Sequence, residues 1–113
     1  MSKKDQYKLN FSKVKIDNRI HYGCSRWGDL PESPYLSELL DHLANIEAEG
    51  LLEEINNAIA NKDFEEYYSL DVSPISLRIS PPNIFINEIV EFPLSELKIL
   101  LEEWIAFCKS SFY

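Results

Sequence analysis

Residues 77–108 read LRISPPNIFINEIVEFPLSELKILLEEWIAFC, and a change of period inside this stretch decides the fold. Ile75, Leu77 and Ile79 alternate with polar neighbours, as a half-buried strand requires when successive side chains point to opposite faces. Pro81-Pro82-Asn83 is turn chemistry, Ile84-Phe-Ile86 resumes the alternation, and Val90 and Phe92 continue it beyond the polar Asn87-Glu88. From about Leu94 the spacing becomes three and four. Leu97, Leu100, Leu101, Trp104, Ile105 and Cys108 then share one face, with Glu96, Lys98, Glu102, Glu103 and Lys109 mostly off it. The pattern predicts an antiparallel meander and, after Pro93, an amphipathic helix over 94–109 with Trp104 in the core.

Working upstream, Tyr68, Leu70 and Val72 share one strand face and Ser73-Pro74 turns the chain, so the meander is expected over 67–92. Ser33 is placed to cap a helix and Pro34 suits its first position, with Leu36, Leu39, Leu40, Leu43 and Ile46 at helical spacing. Gly50 is expected to weaken or end that helix; Leu51, Leu52, Ile55 and Ile59 mark a second one running to about Asn61. Nearer the N-terminus, Tyr7–Phe11 alternates like a strand, and Val14 and Ile16 continue with shifted parity, which predicts a bulge or tight turn near Ser12-Lys13. Asp17-Asn18 is a turn, Ile20–Tyr22 a short strand, and Gly23 to Pro34, with Gly28, Asp29 and Pro31, a long loop. The expected architecture is α+β, with an antiparallel β-meander packed against an N-terminal helical pair and a C-terminal amphipathic helix. One domain spans 1–113.

Charge is unevenly placed. Residues 1–30 hold seven Lys or Arg against three Asp or Glu (+4), whereas residues 31–113 hold four against sixteen (−12), giving the net −8. Such a surface repels nucleic acid and membranes and favours a cationic partner. An apolar content of 45%, with six Phe, six Tyr and two Trp, supports a real core. Met1-Ser-Lys-Lys-Asp5 leads into Gln-Tyr-Lys rather than an apolar segment, and no run reaches membrane-spanning length, so a cytoplasmic chain is expected. Its two cysteines, Cys24 and Cys108, are expected as free thiols.

Candidate chemistry is sparse. His21-Tyr-Gly-Cys24 supplies two potential metal ligands and His42 stands apart, short of the ligand count that zinc needs. Cys24 beside His21 or His42 is the one arrangement that suggests a thiol nucleophile, while Cys108 falls on the apolar helix face. With three glycines there is no phosphate-cradling loop and no Gly-x-Ser-x-Gly elbow. No metal, cofactor or catalytic residue is expected. The informative segment is 47–68: Glu47, Glu49, Glu53, Glu54, Asp63, Glu65 and Glu66 face the single base Lys62 and end at Tyr67-Tyr68. Carboxylates beside an aromatic suit an interface for a basic protein, charge speeding encounter and the ring holding the complex. Glu49, Glu53, Glu54, Asp63, Glu65, Glu66 and Tyr67 are therefore the candidate binding residues, against the plain alternative of a solvated helix surface. Trp27 in the Gly/Pro loop is a second candidate anchor, whereas Trp104 reads as core.

The stretch Leu77 to Leu97, followed by Leu-Leu-Glu-Glu-Trp104-Ile-Ala-Phe107, resembles the strand, strand and closing-helix ending of small bacterial immunity proteins. These accompany polymorphic toxins, including those of contact-dependent growth inhibition. The resemblance covers about the last third of the chain. It implies a toxin–antitoxin partnership in which a non-enzymatic protein binds one cognate toxin domain, often a nuclease, and blocks its active site or substrate groove. No family binding residues carry over, because that group varies widely in sequence and fold. A basic nuclease is the expected partner, since such an enzyme presents positive charge to phosphate. Two other classes remain open: an adaptor or subunit of a larger assembly, and a small hydrolase or transferase using Cys24 or paired carboxylates.

Overall fold

The computed structural model describes residues 2–28, 30–43, 45–69 and 75–110, and the change of period at Pro93 falls where sheet passes into helix. The chain runs α1 (Lys3–Gln6), β1 (Leu9–Ile16), β2 (Arg19–Arg26), α2 (Ser33–Asp41), α3 (Asn45–Ile59), β3 (Tyr67–Ser69), β4 (Ser76–Ser80), β5 (Asn83–Ile86), β6 (Val90–Pro93) and α4 (Leu94–Lys109). β1 and β2 form a two-stranded ribbon, and β3-β4-β5-β6 form a four-stranded antiparallel meander in chain order. The architecture is therefore α+β, as the periodicity predicts. Asp29, the side chain of Ile46, and the expected strand positions Leu70 and Val72 with the Ser73-Pro74 turn lie outside the described residues.

Alternation decides which side of the meander is buried. Leu77 and Ile79 of β4 oppose Ile86 and Ile84 of β5, and Ile84 opposes Phe92 of β6, so one continuous apolar face forms. α4 contributes Leu94, Leu97, Leu100, Leu101, Trp104, Ile105 and Cys108 to the same core, joined by Leu36, Leu39 and Leu40 of α2 and Ala48, Leu51 and Ile55 of α3. Trp104 is almost wholly buried, and its indole N–H donates to the Leu43 carbonyl at 2.8 Å. The Phe11 ring meets it edge-on, with centroids 4.9 Å apart, and Phe107 stacks on it at 6.0 Å.

Four local expectations are corrected. β1 and β2 pair without interruption from Leu9↔Arg26 to Ile16↔Arg19, so no bulge interrupts Ser12-Lys13. The parity slip has another cause: Leu9 and Phe11 face the body, whereas Val14 and Ile16 lie on the opposite, solvent-facing side of the ribbon. Asp17 and Asn18, both with positive φ, close this hairpin, the backbone that a tight two-residue connection demands. Secondly, Gly23 to Arg26 belong to β2 rather than to a loop, and α2 covers the strand at Cys24. There the Asp41 carboxylate accepts from the Cys24 N–H at 3.1 Å and the Ser37 hydroxyl donates to the Cys24 carbonyl at 2.7 Å.

Thirdly, Ser33 opens α2 but does not cap it; its hydroxyl donates to the Tyr7 carbonyl at 2.6 Å, tying α2 to the end of α1, and Glu32 occupies the cap position. Lastly, α2 ends at Asp41 and α3 begins at Asn45, so the helices do not divide at Gly50, which lies inside α3. A Cβ at Gly50 would sit 2.8 Å from the Tyr68 hydroxyl, so glycine is present for close approach of β3 and not to end a helix.

The short α1 is held by α4. Glu103 accepts from the Lys3 and Lys4 backbone N–H groups, each at 2.8 Å, satisfying donors that a helix start leaves free. Glu96 takes the Lys3 ammonium at 2.6 Å and the Tyr7 hydroxyl at 3.0 Å. Truncating Trp104 to Ala removes the central ring and should cost about 3–5 kcal/mol. Trp104→Phe, which keeps a ring but strands the Leu43 carbonyl, should cost about 1–3 kcal/mol. Urea unfolding midpoints measure both, and an unchanged midpoint in Trp104→Ala would contradict the packing.

Candidate functional site

Alternation along β3 sends its two tyrosines in opposite directions. Tyr68 points inward until its hydroxyl meets Gly50 of α3, and Tyr67 points outward, 67% exposed. Tyr67 stands opposite Arg78, Arg78 opposite Phe85, and Phe85 opposite Glu91, so one cross-strand row runs over the outer face of the four-stranded sheet. Arg78 is fixed within it. Its guanidinium lies 4.2 Å from the Phe85 ring centroid and donates from Nε to Glu88 Oε1 at 2.7 Å and from Nη2 to Glu88 Oε2 at 3.0 Å. This two-point hydrogen bond pulls the Glu88 carboxyl below its ordinary value and raises the guanidinium. Glu88 itself has φ 54°, a left-handed backbone that disfavours its side chain, so the turn is held by its contacts.

The candidate binding residues divide between two places. Asp63, Glu65 and Glu66, all exposed, lead into β3 and adjoin Tyr67 at the edge of this outer face. The Glu66 carbonyl accepts from the Ile79 N–H at 2.7 Å, which extends the ladder by one step and fixes the approach of the acidic segment. Glu49, Glu53 and Glu54 belong instead to α3, on the side of β3 toward which Tyr68 points. Glu49 pairs with Lys109 of α4, Glu53 is exposed, and Glu54 is half-buried with Oε2 out of solvent and unbonded. Sequence proximity therefore overstated their unity. The cross-strand row also adds three members that the acidic run did not reveal, Arg78, Phe85 and Glu91, since they enter through strand register; the alternation in 77–92 was the available signal. Asn83 of β5 donates to Glu91 at 2.6 Å.

Trp27, the second candidate anchor, is 60% exposed at the base of the ribbon, and the Lys8 ammonium lies 4.5 Å from its ring centroid. His21 and His42 line one shallow cavity with Ile20, Tyr22, Asp41 and Glu47. Among the described residues no group of three or more His, Cys, Asp or Glu is placed to hold a metal ion. An open apolar groove between Ala58, Ile59, Pro81, Pro82 and Leu94 carries no charged lining.

The thiols are poorly disposed to nucleophilic work. Cys24 is buried, and burial pushes its thiol from 9.0 up to about 12, with the Asp41 charge adding and the Ser37 hydrogen bond opposing. Burial also raises Cys108, against a smaller lowering by Lys13. A thiolate is the reactive form, and an electropositive, accessible setting is what generates it. No helix among the described residues is long and apolar enough to cross a membrane. Comparison of the chain with protein-family models, curated proteins and solved structures returns no match.

Keeping Cys24 neutral stabilises the fold fully below pH 9.0, and that contribution is lost as the pH rises toward about 12. Tyr7, raised by burial and by its hydrogen bond to Glu96 from 10.0 to about 12, acts in the same direction over the upper part of that window. Stability followed by urea unfolding should therefore fall above pH 9, and Cys24→Ala should flatten the decline below the range where Tyr7 enters. An identical slope in that variant would contradict the burial of the thiol.

Proposed function

We propose that this chain is a non-enzymatic binding protein of the immunity type, which neutralises a cationic toxin domain by covering its active site or substrate groove. The observation that carries the reading is the outer face of the four-stranded sheet. An exposed Tyr67, a fixed Arg78 and Phe85 lie in register there with Glu91, Glu88 holds Arg78, and the exposed Asp63, Glu65 and Glu66 lead into Tyr67 along the chain. Tyrosine and arginine are the residue types that dominate binding energy at interfaces, and a surrounding belt of carboxylates steers a basic partner onto them. The only base in the row is already taken by Glu88. A nuclease domain fits this chemistry because its substrate groove must be electropositive to hold phosphate, and an acidic surface can compete for that groove without reacting. The buried thiols disfavour the Cys24 alternative. The adaptor reading keeps one specific observation in its favour, the exposed apolar side chains Val14, Ile16 and Ile20 on the β1–β2 ribbon.

If a toxin domain is encoded beside this gene, co-expression with it should protect cells, and affinity capture should recover that domain in a one-to-one complex. Recovery of a housekeeping assembly instead would favour the adaptor reading. With the partner in hand, Tyr67→Ala should weaken binding by about 2 kcal/mol or more, chiefly through faster dissociation. Lys at Glu65 and Glu66 should slow association and reduce its salt dependence more than Lys at Glu53 and Glu54. Wild-type rate and affinity in all of these variants across a salt series would place the interface elsewhere, with the Trp27 region next in line.

A further inference from the structure

The β1–β2 ribbon carries charge and apolar surface that the rest of the molecule leaves unused. Its base is built into the body, where Leu9, Phe11 and Cys24 pack on the core and α2 holds Cys24 through Asp41 and Ser37. Beyond the base, every residue from Val14 to His21 is exposed, and only Ile20 and His21 of these line the shallow cavity shared with Asp41, His42 and Glu47. Val14, Ile16 and Ile20 keep 50%, 52% and 42% of their surface. Ile16 lies directly opposite Arg19, and Ile20 directly opposite Lys15. Residues paired across a ladder share a face, so each side of the tip presents a cation beside a β-branched apolar side chain. No ion pair among the described residues engages Lys15, Arg19 or Arg26.

The opposite character lies on the outer face of the four-stranded sheet. Glu65 and Glu66 have no ion-pair partner among the described residues, Tyr67 is exposed, and the nearby Ile89 keeps 68% of its surface. The exposure of the whole tip means that the arm does not lie across its own sheet face. Two complementary surfaces, each combining charge with unburied apolar groups, are therefore displayed at separate places on one chain.

We propose that, in the absence of another partner, the β1–β2 arm of a second copy of this chain occupies the acidic outer sheet face. The proposal rests on the reading of that face as a cation-accepting surface, and it adds a competitor for it. The side of the tip that carries Arg19, Val14 and Ile16 lies on the face, with Arg19 toward Glu65 and Glu66 and the apolar side chains over Tyr67, while Lys15 adds positive charge from the other side of the tip. A cationic toxin domain then binds by displacing the arm, so self-association sets the concentration at which the face becomes free. Both contact surfaces are present in every copy, and a reciprocal arrangement closes on a two-fold axis.

Sedimentation equilibrium of the purified full chain, without any toxin, tests this directly. The wild type should self-associate, and the association constant should fall about tenfold or more between about 0.05 M and about 0.5 M salt. The arm variant carrying Lys15→Glu and Arg19→Glu and the face variant carrying Glu65→Lys and Glu66→Lys should each be monomeric alone. Mixed one to one they should associate, because the reversed arm of one meets the reversed face of the other while the remaining arm and face are both native. All four positions are exposed, and circular dichroism of each variant verifies its folding. A wild type that stays monomeric throughout, its arm left to a different partner, overturns the proposal, as does association that survives either reversal or a mixture that stays monomeric. Because no toxin is present, these failures leave capture of a cationic partner by the same face standing.

Discussion

The hydrogen bond from the Trp104 indole to the Leu43 carbonyl is the constraint on which the other elements depend. A buried indole must place its N–H on an acceptor, and helix interiors offer none because their carbonyls are already taken. Past the end of α2 at Asp41 a backbone carbonyl becomes free, so the position of Trp104 on α4 and the end of that helix are one requirement seen from two sides. Phe11 packs edge-on against the same ring, which draws the base of the β1–β2 ribbon into the core. One side chain thus joins three parts of the chain that are remote in sequence, and its planar shape sets how they meet.

Electrostatics divides the molecule differently from the linear count. Part of the basic N-terminal segment is spent within the fold: Lys3 meets Glu96, the start of α1 meets Glu103, and Lys13 donates to Ser110 beyond the end of α4. The carboxylates of α4 that looked like a solvated surface therefore clamp the N-terminus. No ion pair among the described residues engages Lys15 and Arg19 of the ribbon tip, or Glu65 and Glu66 before β3. Where such free charge lies, more than the net value, governs encounter with a charged partner.

The sheet face proposed as the binding surface owes its order to register. Tyr67, Arg78, Phe85 and Glu91 are spread over twenty-five positions of sequence and become neighbours because three antiparallel pairings align them. The Arg78 side chain is then gripped between a ring and a carboxylate, which removes most of the rotamer freedom that a long side chain would otherwise lose on binding. Glu49 and Glu54 show the converse. They belong to the same acidic run as Glu65, yet Lys109 takes the first and partial burial claims the second.

Local periodicity was enough to find the meander, its turn at Pro81-Pro82, the helix after Pro93 and the burial of Trp104, because alternation and helical spacing act over a few residues and show directly in the order of side chains. It misplaced what depends on a distant neighbour. Val14 and Ile16 looked like a slipped register since apolar residues were assumed to be covered, and only the fold reveals that both side chains are about half exposed on the solvent side of the ribbon. Gly50 looked like a helix end, whereas the approaching Tyr68 hydroxyl explains it; Ser33 looked like a cap, whereas the Tyr7 carbonyl takes its proton. The same limit applies to the site. Which carboxylates stay free, and which residues join them across the strands, follows from contacts between segments far apart in the chain, and such contacts exist only once the core has closed.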